Sequence, residues 1–191
     1  MATYNISAEQ LKVEGILNQF EIPAVGSFTN IYSTEYDGVD DYVKTDANYT
    51  EVDGATKLTV SAWIKVSSAS DSNSWLFSVG GGSNRQFGIR AQTLTDTTIW
   101  VLVNSGGNGH RIQTNIGAIK NDGNWHHLLV CIDLSLSTGQ EAKVYLDGVA
   151  KTGAGSIGST TFRSANTPLF IGTQHGDLTR VFGGFIDEAA I

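Results

Sequence analysis

Cysteine occurs once in the 191 residues and proline twice. A single thiol, Cys131, excludes an internal disulfide and any cysteine-rich zinc site. Its setting in "LLVCIDL" reads as a buried thiol rather than a nucleophile. Charged residues make up only 16%, and one sign dominates: 12 Lys and Arg stand against 19 Asp and Glu, a formal charge of -7. That balance repels a phosphate backbone and argues against nucleic acid as a partner. No apolar run approaches the roughly 18 residues of a membrane span. The opening "MATYNISAEQ" lacks the basic flank and apolar block of a secretory signal, so no export address is expected. There is no G-x-S-x-G elbow, no EF-hand spacing and no nucleotide motif; "GGGSNRQ" is followed by a strand pattern rather than the helix a phosphate cradle needs.

Glycine, by contrast, is abundant at 22 residues, and 40% of the chain is hydrophobic. This suits short strands joined by glycine turns around one substantial core. In "KLTVSAWIKV", Leu58, Val60, Ala62, Ile64 and Val66 alternate with Thr59, Ser61, Trp63 and Lys65, the period of a strand with one buried face. The same rhythm, or a continuous β-branched and aromatic run, recurs in "WLFSVG", "QFGIRA", "TIWVLVN", "RIQTNIG", "WHHLLVCIDL", "KVYLDGV", "PLFIGTQ" and "GGFIDEAAI". The connections "DG", "GGGSN", "NSGGNG" and "NDGN" are turn formers, so neighbouring strands are expected to be antiparallel. The pattern predicts an all-β protein, a two-sheet sandwich or barrel, with a helix only over "SAEQLKVEGIL". Residues 1–30 read as an N-terminal arm or edge segment ahead of a sandwich over 31–191.

Three ordered segments carry a resemblance: "STEYDGVDDYV" (33–43), "LTVSAWIKV" (58–66) and "GNWHHLLVCIDLSLSTGQEAKVYLDGVAKTG" (123–153). With the closing "GGFIDEAAI", they resemble the laminin G-like domains of the concanavalin A-like lectin/glucanase superfamily. The resemblance implies a jelly-roll sandwich of two antiparallel sheets. Such domains usually continue past "IDE" into a further turn, so either the last strand closes the domain or the chain belongs to something longer.

The stretch "EYDGVDDYV" raises three readings. Glu35, Asp37 and Asp40 imitate the Glu-x-Asp-x-x-Glu strand of the superfamily's glucanases, but Asp37-Gly38 interrupts the strand and Asp40 is one methylene short; no catalytic set is expected. By resemblance, Asp37 and Asp187 are the pair that would hold a structural calcium. The third reading makes Asp37, Asp40, Asp41 and Asp187 turn formers and solvated charges. In "WHH", His126 and His127 are adjacent on a strand and point to opposite faces, so they cannot converge on one ion.

For sugar binding, the aromatic and planar polar residues near glycine-rich loops are Trp75, Trp100, Arg85, Arg90, His110, Arg111, His175 and Arg180. Trp75, Arg90, Trp100, His110 and His175 head that set as glycan contacts, with core filling the competing role for the tryptophans. "ILNQFEIPAVGSF" before "DGVDDYV" is similar to the openings of phage-encoded laminin G-like proteins. The primary expectation is therefore a non-enzymatic virion structural or attachment protein, found in the particle and joined to other virion proteins or its own copies through the arm. The alternative is a carbohydrate-binding, lectin-like module. A glucanase-type hydrolase ranks third.

Overall fold

The computed structural model describes residues 33–67, 73–81, 84–93, 97–104, 110–175 and 180–191. All lie in one compact unit, Ser33–Ile191. The expected arm and helix lie outside the described residues. No helix among the described residues is long and apolar enough to cross a membrane.

Among the described residues, thirteen strands form two sheets: β1 (Thr34–Asp37), β2 (Val43–Lys44), β3 (Lys57–Val66), β4 (Ser74–Val79), β5 (Phe87–Thr93), β6 (Thr97–Val103), β7 (Arg111–Gly117), β8 (His126–Asp133), β9 (Ala142–Leu146), β10 (Val149–Lys151), β11 (Gly153–Ser156), β12 (Leu169–Ile171) and β13 (Gly183–Ala190). The six-stranded sheet runs β1-β13-β3-β8-β9-β10, and the seven-stranded sheet runs β11-β7-β6-β5-β4-β12-β2. Every pairing is antiparallel. Of the sandwich and the barrel that the two-residue period allows, this is the sandwich, as the resemblance implies.

The strand β3 follows its sequence pattern: Leu58, Val60, Ala62, Ile64 and Val66 are buried, while Lys57, Thr59 and Trp63 are exposed. Those inward residues meet Leu128, Val130 and Ile132 of β8 and Phe77, Phe87, Ile89, Val101 and Ile112 of the other sheet in one core. Each fully buried side chain of this size contributes roughly 1.5–3 kcal/mol. Cys131 departs from expectation. Its neighbours Val130 and Ile132 take the core face of β8, so alternation turns the thiol outward, where it is half-buried.

One turn shows why glycine is needed. Between β9 and β10, Asp147 and Gly148 have φ of 52° and 76°, the left-handed pair of a two-residue hairpin, which Asp tolerates and Gly adopts freely. The hairpin brings the Asp147 carboxylate back to β8, where Oδ1 accepts from the His127 amide at 2.8 Å.

Candidate functional site

The face of the seven-stranded sheet turned away from the core carries a second, smaller cluster of Trp75, Trp100 and Leu102. Alternation explains two of these directly: on β6, Ile99, Val101 and Val103 enter the main core and leave Trp100 and Leu102 outside. Trp75 reaches this face by another route. The register of β4 against β5 shifts between Trp75 and Phe77, so Leu76 is an inserted residue. Leu76 and Phe77 both face the core, and Trp75, two residues before Phe77, lies on the opposite side.

Register then aligns the outward residues. Trp75 stands opposite Arg90, Arg90 opposite Trp100, and Trp100 opposite Gln113. Gly88 lies on the same face, and a Cβ there would come within 2.5 Å of the Trp75 ring, so only glycine admits the indole. Across these strands, cations and aromatic rings interleave. The Arg85 guanidinium sits 4.7 Å from the centre of Trp75, Arg90 lies 5.6 Å from Trp75 and 3.8 Å from Trp100, and Arg111 lies 4.2 Å from Trp100. Each such contact is worth about 0.5–2 kcal/mol, more where water is excluded.

Water is largely excluded here. Trp75 is fully buried, Arg90 is 3% exposed and Arg85 is 5% exposed. Burial first, then the charges of Arg180 and Arg163, lowers the Arg85 guanidinium to about 10. Burial, followed by Arg180, Arg85 and Arg111, lowers Arg90 to about 10 as well. Both remain cations at neutral pH, held at a cost. Arg85 Nη2 donates to Gln174 Oε1 at 3.2 Å. The margin towards β7 is more open: Arg111, Gln113, Gln92 and Thr98 are half-buried and Asn115 is exposed. With its amide turned to satisfy both groups, Gln113 accepts from Arg111 Nε at 2.6 Å and Nη2 at 2.8 Å.

Of the residues expected to contact sugar, the fold therefore brings Trp75, Arg90 and Trp100 together. His110 flanks them at the start of β7, exposed, with Nδ1 2.9 Å from the Ile157 carbonyl oxygen. His175 is exposed, its ring 5.5 Å from that of Phe170 on β12, a residue the register sets in line with Ser78 and Gly88 of the same sheet. Trp75 does not offer a stacking face, because it is buried and arginines take its ring. Gln113, Asn115, Thr98 and Gln92 were not singled out in the sequence. The signal for them was alternation: Gln113 and Asn115 follow Arg111 at steps of two in "RIQTNIG", Thr98 precedes Trp100 by two on β6, and Gln92 follows Arg90 by two on β5.

The acidic stretch divides differently from expectation. Asp37 pairs with Gly183, and Asp187 lies four residues further along β13, about 13 Å away at the rise of a strand. Asp37 and Asp187 thus cannot share one ion. Asp187 instead belongs to a bulge: its Oδ1 accepts from the Glu188 amide at 2.8 Å, and Glu188 has φ 47°. Asp37, Asp40 and Asp41 do gather, with carboxylate oxygens within 4.8 Å of one another, a donor set that suits a hard cation such as calcium. Much of that set already serves the turn. Asp37 Oδ1 accepts from the amides of Val39 (2.7 Å) and Asp40 (3.3 Å), and Asp41 Oδ2 accepts from the Asp37 amide at 2.9 Å. The strand β1 ends at Asp37, so Glu35, Asp37 and Asp40 do not line one continuous strand.

At the other end of β8, His126 is held between two carboxylates: Nδ1 lies 2.8 Å from Asp147 Oδ2 and Nε2 lies 2.8 Å from Asp122 Oδ2. His127 points to the other face, with Nε2 2.9 Å from Ser61 Oγ and its ring 5.2 Å from that of Trp63.

The family model described as "Concanavalin A-like lectin/glucanases superfamily" matches residues 37–191. No curated protein sequence matches the chain. Among solved structures, a putative carbohydrate binding protein from Bacteroides ovatus is similar with a TM-score of 0.59 and 14% identity, over 82% of this chain and 42% of that one. Domain 4 of AbnA, an extracellular arabinanase of Geobacillus stearothermophilus seen with arabinotriose, matches with a TM-score of 0.57 and 21% identity, over 84% of this chain and 70% of that one. Domains LG4-5 of the mouse laminin alpha1 chain match with a TM-score of 0.56 and 16% identity; this chain covers 40% of that one and 82% of itself is covered. At these identities the likeness is one of fold.

Proposed function

Because the chain belongs to the concanavalin A-like lectin/glucanases superfamily, we propose that it is a non-catalytic carbohydrate-binding module working through the outward face of its seven-stranded sheet. One observation carries this reading: β5, β6 and β7 align Arg90, Trp100, Arg111 and Gln113 side by side on a face that the core does not use. Planar guanidinium and amide groups donate to sugar hydroxyls in fixed directions, and Thr98, Gln92 and Asn115 extend the polar rows. The likeness to a carbohydrate binding protein and to a module seen with arabinotriose supports the same reading. Binding without hydrolysis is part of it, since Glu35, Asp37 and Asp40 do not share one strand.

A glycan array probed with the full chain tests the proposal. Binding that is lost in Arg111→Ala, while the circular dichroism spectrum is unchanged, is the expected result. Binding that survives Arg111→Ala would move the site elsewhere, and turnover of a β-glucan abolished by Glu35→Gln would replace the module with an enzyme. The virion attachment role rests on the resemblance of the opening segments alone, and the sugar-binding role has the better support. Calcium, in either role, would be held by Asp37, Asp40 and Asp41, where it would supply rigidity to the first turn.

A further inference from the structure

Among the described residues, the charges that act on Arg90 in the proposed binding face are of one sign. Arg90 is 3% exposed and its Nε has no hydrogen-bond partner. No ion pair among the described residues reaches Arg90 or Arg111. The charges that, after burial, lower the Arg90 guanidinium are those of other arginines: Arg180, Arg85 and Arg111. The chain as a whole carries a formal charge of -7, with 19 acidic residues available. A buried cation beside like charges is unfavourable both by desolvation and by repulsion, and the ring of Trp100 offsets only part of that. Such an arrangement becomes favourable when an anion enters it.

Arg111 shows where. Its Nε and Nη2, the pair of donors that fits a carboxylate or a sulfate side-on, are both directed at one neutral oxygen, that of Gln113. An incoming oxyanion can displace that amide without unfolding anything, because Gln113 and Arg111 are half-buried at the open margin of the face. The Trp100 ring lies against both arginines: the guanidinium carbons of Arg111 and Arg90 are 4.2 and 3.8 Å from its centre.

We propose that the sugar recognised on this face is anionic, and that its carboxylate or sulfate group is received by the Nε and Nη2 of Arg111, in place of the Gln113 amide and beside Trp100 and Arg90. The inference rests on the reading of this face as a glycan-binding surface. It adds the chemical class of the ligand.

The test is titration calorimetry of the full chain with three probes of equal length: an oligogalacturonate, a sulfated galactan oligosaccharide and a neutral galactan oligosaccharide, each at low and high salt. One acidic probe is expected to bind about tenfold or more tighter than the neutral one and to weaken as salt rises; which of the two does so identifies carboxylate or sulfate. Arg111→Gln, conservative and at the margin, is expected to abolish the preference for the acidic probe while the melting temperature holds. Acidic and neutral probes bound equally, with no salt dependence, would overturn the inference and leave the glycan-binding reading standing. Failure of all three probes, together with an empty glycan array, would overturn both.

Discussion

Arg90 and Trp100 stand directly opposite each other on β5 and β6, and the guanidinium carbon lies 3.8 Å from the indole centre. The pair contributes little to the main core, from which it is separated by the sheet itself. A buried cation without a partner costs stability, and replacing one by an apolar residue of similar length is often neutral or stabilising. Arg90→Met is therefore expected to hold or raise the melting temperature while glycan binding falls. A melting temperature that drops together with binding would show that Arg90 is structural.

Trp100→Ala removes a large, largely buried ring from under two guanidinium groups. A loss of about 3 kcal/mol is expected, from lost burial and a cavity left behind, read from urea denaturation. A loss well under 1 kcal/mol would mean that the outward cluster is dispensable to folding.

Glu141 ties two loops together. It is 3% exposed, and its carboxylate accepts from the amides of Gly139 (2.5 Å), Ile157 (3.3 Å) and Gly158 (3.3 Å) and from the Ser156 hydroxyl (3.2 Å). Burial pushes its pKa up, but these hydrogen bonds prevail and hold it below the ordinary value of 4.5. Its contribution is thus complete above about 4.5 and is lost as pH falls through the lower folded-state value. Glu141→Ala is expected to cost about 3 kcal/mol at neutral pH, since several donors lose one acceptor. The difference from wild type should shrink in acid; a constant difference down to pH 3 would refute the assignment.

His126 predicts a change of the opposite sign. Burial lowers its pKa, yet the hydrogen bonds and charges of Asp147 and Asp122 outweigh burial and raise it above the ordinary 6.5. A raised folded-state value means stabilisation that is complete below about 6.5 and lost as pH rises through the folded-state value. His126→Gln should flatten that limb in a plot of melting temperature against pH. An unchanged fall above pH 6.5 in the variant would assign it to another group.

Calcium is expected to raise the melting temperature only slightly over chelator, because the turn already uses oxygens of Asp37 and Asp41. Whatever rise occurs should disappear in Asp40→Asn and persist in Asp187→Ala. Loss in Asp187→Ala would contradict the separation set by the β1–β13 register.

The sequence by itself determined what depends on near neighbours. The alternation over Leu58–Val66 specified a strand and its buried face, "DG" at Asp147-Gly148 specified a hairpin, and the turn at Asp37-Gly38 broke the imitation of a glucanase strand. Each follows from backbone geometry within a few residues. The tertiary structure decided what depends on pairing between distant segments. An inserted residue in β4 sent Trp75 to the face opposite Phe77, although a period of two would place them together. Cross-strand register set Trp75, Arg90, Trp100 and Gln113 in one row and put Asp37 and Asp187 apart. Local period says only that a side chain leaves the core; which residues it then meets is a matter of register, and register is settled by contacts between strands far apart in the chain.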